Sequence, residues 1–322
     1  MKSTVETNYN LELSLIIPLY NEEDNVKPLY LSIKKVVEKL QKSYEIIFID
    51  DGSTDKTFTL LEKISREDKH IKIIKFRGNF GQSAAMAAGF EAAQGKVVIS
   101  MDGDLQNDPQ DIPNLLQKLS EGYDVVSGWR KNRKDKFLVR KIPSKIANKL
   151  ICSVTKVKLH DTGCSLKAYR AEIIKRITLY GELHRFIPAL AKIEGAKIAE
   201  IVVNHHPRKF GKSKYNLTRT FKVIMDLTTL NFLMKYLHKP LQFFGAIGIL
   251  LNVLGIVTLF WIACRLLIYK FPVIQLNILI TVAFLLLAGG VQFFFFGLVT
   301  DLIVETGTRK RLYLLENYRS VE

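Results

Sequence analysis

The chain has 322 residues, with 47 Lys and Arg against 31 Asp and Glu, giving a net charge of +16. That length holds one large domain plus an appendage, and the charge points to anionic partners: anionic lipid, phosphorylated substrates or nucleic acid. Cys152, Cys164 and Cys264 are odd in number, widely spaced and without a CxxC pair, so they indicate neither a disulfide framework nor a zinc site and fit a reducing compartment.

Met1–Asn10 is polar and lacks an apolar h-region, so no cleavable signal peptide is expected. Residues 11–19 read as a buried strand, followed by the loop Tyr20-Asn21-Glu22-Glu23-Asp24. A helix carries Val26, Leu29, Ile33, Val36, Val37 and Leu40. Glu45–Ile49 is a second strand running into Asp50-Asp51-Gly52-Ser53-Thr54-Asp55, a helix N-cap signal, and Thr57–Ile64 continue as helix. Ile71–Phe76 predict a third strand, Gly78-Asn79-Phe80-Gly81 a turn, and Ser83–Ala93 a small alanine-rich helix. Val97–Met101 is a fourth strand, Pro109 opens the next helix, and Tyr123–Ser127 is a fifth strand. Alternating strands and helices predict a mostly parallel sheet covered on both faces, with ligands beyond the carboxyl ends of its strands. Pro18–Glu22, Asp50–Asp51, Asn79–Gly81, Asp102–Gln106 and Arg130 all fall at those ends.

The most informative stretch is Ser100-Met101-Asp102-Gly103-Asp104-Leu105-Gln106. A strand that ends by presenting Asp102 and Asp104 offers hard oxygen ligands suited to Mg²⁺ or Mn²⁺, and such a cation neutralises a departing diphosphate. Taken alone, Asp-x-Asp is also what a solvated acidic loop looks like. From Lys131 to Lys149, basic residues interleave with Phe137, Leu138, Ile142 and Ile146. This reads either as a basic amphipathic element at a membrane surface or as a solvated lysine-rich face. A nucleic-acid interface fits less well, because the stretch has one aromatic residue and no recognisable binding module. His160-Asp161-Thr162-Gly163-Cys164-Ser165 opens a strand-like segment ending near Tyr169. Asp161 is either on an active-site floor or a turn aspartate before Gly163. Helical pieces reach Ile193, and Ile198–Val203 is a strand. The loop from His206 to Tyr215, with Arg208, Lys209, Lys212 and Lys214, is suited to gripping phosphates. His184, His205 and His206 lack a third ligand at metal-binding spacing and read as structural.

Leu217–Leu237 is amphipathic and suited to a bilayer interface. Leu241–Cys264 and Phe271–Thr300 carry no charge, and each exceeds the roughly 20 residues needed to span a bilayer. Lys235, Lys239, Arg309, Lys310 and Arg311 flank one side, and Arg265 and Lys270 the other. The positive-inside rule then predicts a multi-pass plasma- or inner-membrane protein with the α/β domain and both termini cytoplasmic.

Six motifs, in order and spacing, carry a family resemblance: Ile-Pro-Leu-Tyr-Asn-Glu, Ile-Asp-Asp-Gly-Ser-Thr-Asp, Arg-Gly-Asn-Phe-Gly-Gln, Met-Asp-Gly-Asp-Leu-Gln, Ser-Gly-Trp-Arg and Arg-Lys-Phe-Gly-Lys-Ser-Lys-Tyr. Over nearly its whole length the chain resembles glycosyltransferase family 2 with the GT-A fold. Within that family it looks like the polyprenyl-phosphate glycosyltransferases, relatives of dolichol-phosphate mannosyltransferase and the bactoprenol glucosyltransferases. The resemblance implies a GT-A α/β catalytic domain over residues 1–214, interfacial amphipathic helices over 215–240, a two-helix transmembrane hairpin over 241–305 and a cytoplasmic tail over 306–322. It implies that Pro18, Tyr20, Glu22, Ile49 and Asp51 hold the nucleoside of a sugar nucleotide. Asp102 and Asp104, with Gln106 and with Gly103 between them, would bind Mg²⁺ or Mn²⁺ and the diphosphate. Arg130 would contact phosphate, and Arg208 and Lys214 would close on the diphosphate or the lipid phosphate. Asp104, Asp161, Arg130, Arg208 and Lys214 form the implied catalytic set. The family's usual catalytic carboxylate lies in a Glu-Asp pair. No such pair occurs near residue 161, which leaves Asp161 to orient acceptor or sugar. The processive signature Gln-x-x-Arg-Trp is absent, which implies one transfer per acceptor.

The expected activity is inverting transfer of a hexose, glucose from UDP-glucose first, to undecaprenyl or a similar polyprenyl phosphate at the cytoplasmic leaflet. Mannose from GDP-mannose, or a modified sugar such as aminoarabinose, is the alternative donor group. A polysaccharide or protein acceptor and a non-catalytic membrane scaffold are the competing classes. Nucleic acid is not an expected partner, and a homo-oligomer is implied by the resemblance alone.

Overall fold

The computed structural model describes residues 9–131, 157, 159–179, 181–207, 232, 236, 239–268 and 272–306. They fall into two compact units, one within residues 1–227 and one within 228–310.

In the first unit, the elements in chain order are β1 (Leu11–Leu19), α1 (Glu23–Val37), β2 (Tyr44–Asp50), α2 (Thr57–Glu67), β3 (Ile71–Lys75), α3 (Gln82–Ala92), β4 (Gly95–Ser100), α4 (Ile112–Ser120), β5 (Val125–Trp129), β6 (Lys167–Arg170), α5 (Ala171–Ile174), α6 (Ile187–Ile193) and β7 (Ile198–Val202). The strands form one sheet in the order β3-β2-β1-β4-β6-β5-β7. β1 and β2 are buried along almost their whole length, as expected for strands covered on both faces. Leu13, Leu15, Ile17 and Leu19 of β1 share an apolar core with Val26, Leu29 and Ile33 of α1, Leu61 of α2 and Leu115 of α4. On the opposite face Gly89 lets α3 approach closely, since a Cβ there would sit 2.4 Å from Ile16 and 3.0 Å from Ile49.

β1 pairs in parallel with β2 on one side and with β4 on the other. The strand order reverses between β1 and β4, which opens a crevice at their carboxyl ends. β6 runs antiparallel to both β4 and β5 and is the exception in an otherwise parallel sheet. Its amino end therefore enters from the same rim on which β1, β2, β4, β5 and β7 finish. The strand-like reading of 160–169 is corrected by the structure. Only Lys167–Arg170 is strand, because the Asp161 carboxylate accepts from Gly163 N–H at 3.2 Å and holds a turn there.

The second unit contains α7 (Pro240–Leu267) and α8 (Val273–Thr306), both long and apolar enough to cross a membrane. α8 continues past Thr300, through Asp301. The two helices meet at small residues: a Cβ on Gly248 would lie 2.7 Å from Gly290 O, and one on Gly290 would lie 2.3 Å from Asn252 Nδ2. Asn252 Nδ2 donates to Gly248 O at 2.8 Å, so its amide is satisfied within α7. The basic stretch beyond Lys131 and the amphipathic stretch 217–237, apart from Phe232 and Tyr236, lie outside the described residues.

Candidate active site

The loops leaving β1 and β2 are fastened to each other by backbone groups. Asn21, in the left-handed region at φ 53°, accepts from Thr54 N–H at 2.8 Å and donates its own N–H to Ser53 Oγ at 2.9 Å. Glu22 N–H donates to Thr57 Oγ1 at 2.9 Å, and the Glu22 carboxylate accepts from the Asn25 side chain. Pro18 and Ile49 are partners in the β1–β2 register, but Ile49 is fully buried and its side chain packs toward Gly89 of α3, away from the open rim. Tyr20 is half-buried just past β1. Asp51 holds the loop after β3: Phe80 N–H donates to Oδ1 at 2.7 Å and Gly81 N–H to Oδ2 at 3.0 Å. Gly81 sits at φ +90°, which glycine adopts without strain.

β4 delivers the acidic pair. A Cβ at Gly103 would lie 2.1 Å from Leu19 Cδ2, so the absence of a side chain lets the loop fold back onto the end of β1. Leu105 takes φ 60°, a strained value for a leucine, costing on the order of 1–3 kcal/mol. Gln82 Nε2 donates to Asp102 Oδ1 at 2.7 Å. Asp104 is 7 % exposed, and its Oδ1 accepts from Gln106 N–H at 3.1 Å. Burial pushes the Asp102 carboxyl upward and the charge of Asp104 adds to it, whereas Ser165, Arg130 and Lys167 pull the other way. Gln106 faces β7: its side chain donates to His206 O at 3.4 Å, and His206 N–H donates to Gln106 O at 2.8 Å. His206 Nε2 lies 3.0 Å from Asp108 Oδ2, and Asn204 binds Asp111 through its backbone and side chain. Asn204 and His206, the first residue of the basic loop, are thus tied to the segment that follows Asp104. Arg208 and Lys214 themselves lie outside the described residues.

Arg130 and Asp161 form a fork. Arg130 Nε donates to Asp161 Oδ2 at 2.7 Å and Nη2 to Oδ1 at 2.9 Å, and the Arg130 backbone N–H also reaches Oδ2 at 3.3 Å. Burial raises the Asp161 carboxyl, but the hydrogen bonds and charge of Arg130 outweigh it and hold the group below the usual carboxylate range. A carboxylate with four N–H partners is a poor proton acceptor, so the fork makes Asp161 an anchor for Arg130. A guanidinium has five N–H donors, and three of those on Arg130 are not directed at Asp161.

Three further participants carry no role in the sequence reading. Gln82 lies in a recognised motif without an assignment. Ser165 binds Asn107 Nδ2 at 2.7 Å. Lys167, 3 % exposed, donates from Nζ to Cys164 O, and burial lowers its proton affinity while the charge of Asp161 supports it. A lysine in an apolar strand announces nothing on its own; the antiparallel course of β6 brings it here. The histidines do not converge: His184 Nδ1 lies 2.8 Å from Ser83 Oγ, and His205 bridges to Asn107.

Among the described residues, no group of three or more His, Cys, Asp or Glu side chains is placed to hold a metal ion. A buried Asp102 carboxyl pushed upward beside the charge of Asp104 is nonetheless a donor set that a hard dication relieves. The two carboxylates leave coordination positions for phosphate oxygens and water, as Mg²⁺-type sites do. The residues present fit such an ion.

Residues 14–178 match glycosyl transferase family 2. The chain is 43% identical over 320 residues to dodecaprenyl-phosphate galacturonate synthase of Rhizobium johnstonii, covering 95% of this chain and 94% of that protein. It is also 43% identical over 219 residues to undecaprenyl-phosphate 4-deoxy-4-formamido-L-arabinose transferase of Salmonella choleraesuis, covering 68% of this chain and 67% of that one. The fold resembles the crystal structure of glucosyl-3-phosphoglycerate synthase from Mycobacterium tuberculosis in complex with Mn²⁺, uridine diphosphate and phosphoglyceric acid. The TM-score is 0.53 at 19% identity, over 70% of this chain and 80% of that one. The chain belongs to glycosyl transferase family 2, among its polyprenyl-phosphate glycosyltransferases, and its first unit has the GT-A fold.

Proposed function

We propose that the protein transfers a sugar from a nucleoside diphosphate to a polyprenyl phosphate, with inversion, at the cytoplasmic face of a membrane. The observation that carries this reading is the placement of the Asp102/Asp104 pair and the Asp161-held Arg130 on one rim of the sheet. Asp51, Tyr20, Glu22 and Pro18 are assigned to the nucleoside, with the buried Ile49 behind them, and Asp102, Gly103, Asp104 and Gln106 to the diphosphate end. Asp102 and Asp104 would hold a divalent cation, which would supply charge neutralisation for the departing nucleoside diphosphate. Arg130 directs its remaining N–H groups at that same developing charge, and Arg208 and Lys214 of the basic loop add to it. A phosphate-monoester oxygen of the acceptor forms the bond to the anomeric carbon as the bond to the diphosphate oxygen breaks. That oxygen is already ionised at neutral pH, so no strong general base is required, consistent with an Asp161 committed to Arg130.

The sugar is read from the relatives. Glucose from UDP-glucose is the simplest expectation from motifs, but neither relative is named for it. Galacturonate comes first because that relative matches along nearly the full chain, and a modified pentose such as the formamido-arabinose comes second. For topology, the flanking Lys and Arg residues support a cytoplasmic catalytic unit and cytoplasmic termini around α7 and α8. Assembly of several copies follows from the family resemblance alone.

The test is a donor panel: purified protein, undecaprenyl phosphate, a divalent cation, and in turn UDP-galacturonate, UDP-4-deoxy-4-formamido-arabinose, UDP-glucose and GDP-mannose. A lipid-extractable product with the first donor, lost on chelation of the metal, is expected. A water-soluble product with an added glycan, or no product from any of the donors, overturns the acceptor assignment.

A further inference from the structure

Glu200, the one carboxylate of β7, has no place in the assignments above, yet both of its oxygens are engaged. It stands in register with Ser127 of β5, two positions before Val202 pairs with Trp129. Its side chain, 10 % exposed, reaches the turn that precedes β6. Oε1 accepts from His160 N–H at 3.0 Å and from Asp161 N–H at 2.9 Å. Oε2 accepts from His160 N–H at 3.0 Å and lies 2.8 Å from His160 Nδ1. The His160 ring in turn stacks on Trp129, with centroids 4.1 Å apart and planes at 16°. The sheet's own ladder already pairs β5 with β7, so this carboxylate is not needed to join the strands. What it holds is a two-residue piece of backbone, and the second of those residues is Asp161.

We propose that Glu200 is a positioning residue that aims Arg130, acting through the backbone of His160 and Asp161 and then through the Asp161 carboxylate. The proposal rests on the reading of Arg130 as a contact to the departing diphosphate. Arg130 immediately follows β5, where the ladder ends, and its guanidinium is oriented by Asp161. Asp161 lies in a turn, outside helix or strand, so its position is set by what grips that turn. Glu200 grips it from the sheet side with charge-assisted bonds to two consecutive amides, and the Trp129–His160 stack closes the other side. Trp129 is also the residue that leads into Arg130, so both ends of the fork are referred to the same small scaffold. A shift of about 1 Å in a group that stabilises developing charge can cost on the order of a hundredfold in rate.

Three variants and a double mutant test this in detergent-solubilised full-length protein, with steady-state rates measured against donor concentration and thermal unfolding recorded alongside. Glu200→Gln preserves shape. Its amide oxygen can accept from both backbone N–H groups while its amide nitrogen donates to His160 Nδ1, and activity within about threefold of wild type is expected. Glu200→Ala is expected to lower kcat by roughly 10- to 100-fold with donor KM changed by less than about threefold. If the alanine variant does not fold, Glu200→Thr serves, since a β-branched residue suits the strand and its hydroxyl cannot reach the turn. Arg130→Ala lowers kcat, and adding Glu200→Ala to it is expected to change little further, because the two act in series. Wild-type kcat in Glu200→Ala, or losses that multiply in the double mutant, overturns the proposal. An equal loss in Glu200→Gln and Glu200→Ala overturns it too. A wild-type rate in Arg130→Ala is a different failure and removes the phosphate-contact reading on which the proposal stands.

Discussion

Asp102 and Asp104 stand one residue apart just past the end of β4, and burial, with the charge of Asp104 added to it, pushes the Asp102 carboxyl upward. Gly103 lies with its Cα against Leu19 and Leu105 takes a left-handed conformation, so the backbone is bent to present both acids at the rim. Asp104→Ala removes a carboxylate proposed to hold the cation and is expected to abolish turnover in the donor panel. Turnover retained at the wild-type level with added Mg²⁺ or Mn²⁺ would remove the metal assignment. This pair was legible in the sequence because it is local: one apolar run, two acids, one glycine. The Arg130–Asp161 fork was not. Its members are 31 residues apart, and nothing along the chain says that an antiparallel strand will bring the second to the first. Asp161 was readable as part of an active-site floor or as a turn aspartate before Gly163; it lies in a turn and is paired with Arg130.

At the scale of elements, the alternation of strands and helices was enough to place β1 to β5 and their carboxyl-end loops, because parallel strands buried on both faces read as continuous apolar runs. The direction of β6 escaped, since a four-residue strand carries no signal of polarity. At the opposite end of the sheet from the site, one buried acid ties α1 to the turn before β3. Asp68, its side chain 5 % exposed, accepts from Tyr30 OH at 2.9 Å, Lys34 Nζ at 3.0 Å and His70 N–H at 3.0 Å. Burial raises its carboxyl, but the bonds from His70, Lys34 and Tyr30 outweigh burial and hold it well below the ordinary range. A depressed folded-state value contributes stability that is present above the unfolded carboxylate pKa of about 3.9 and is lost as pH falls through it toward the folded value. Asp68→Asn should therefore lower the unfolding temperature at neutral pH, by an amount equivalent to about 1–3 kcal/mol, and flatten its decline below about pH 4. Parallel acid profiles for the two proteins would show that this network does not matter. In the second unit, Gly248→Val places a branched side chain where a single Cβ already meets Gly290 O at 2.7 Å. The helix pair is expected to separate or shift, with a lower unfolding temperature in detergent. An unchanged temperature would mean that the close approach of α7 and α8 contributes nothing.

For the whole molecule, the outward faces of α7 and α8 are apolar, from Ile249 and Phe260 to Ile278 and Phe284, the kind of surface a bilayer accommodates and water does not. The protein is expected to stay in the pellet when membranes are washed with alkaline carbonate. Recovery in the supernatant would remove the spanning assignment for both helices. This feature needed no folding at all to be seen, because more than 20 uncharged residues in a row is a property of composition.

The chain by itself determined what depends on neighbours in sequence: the apolar spans, the strand–helix alternation, the Asp-x-Asp pair, and the motifs that pointed to the family, a membership that relatives at 43% identity bear out. Tertiary structure decided what depends on residues far apart. It turned Asp161 toward Arg130, buried Lys167 beside them, withdrew the Ile49 side chain into the core and set Glu200 under the turn that carries Asp161. The reason is physical: short-range patterns report which backbone state a segment prefers, whereas the direction of a short strand and the partner of a buried charge are set by burial and pairing energies that exist only once the sheet has closed.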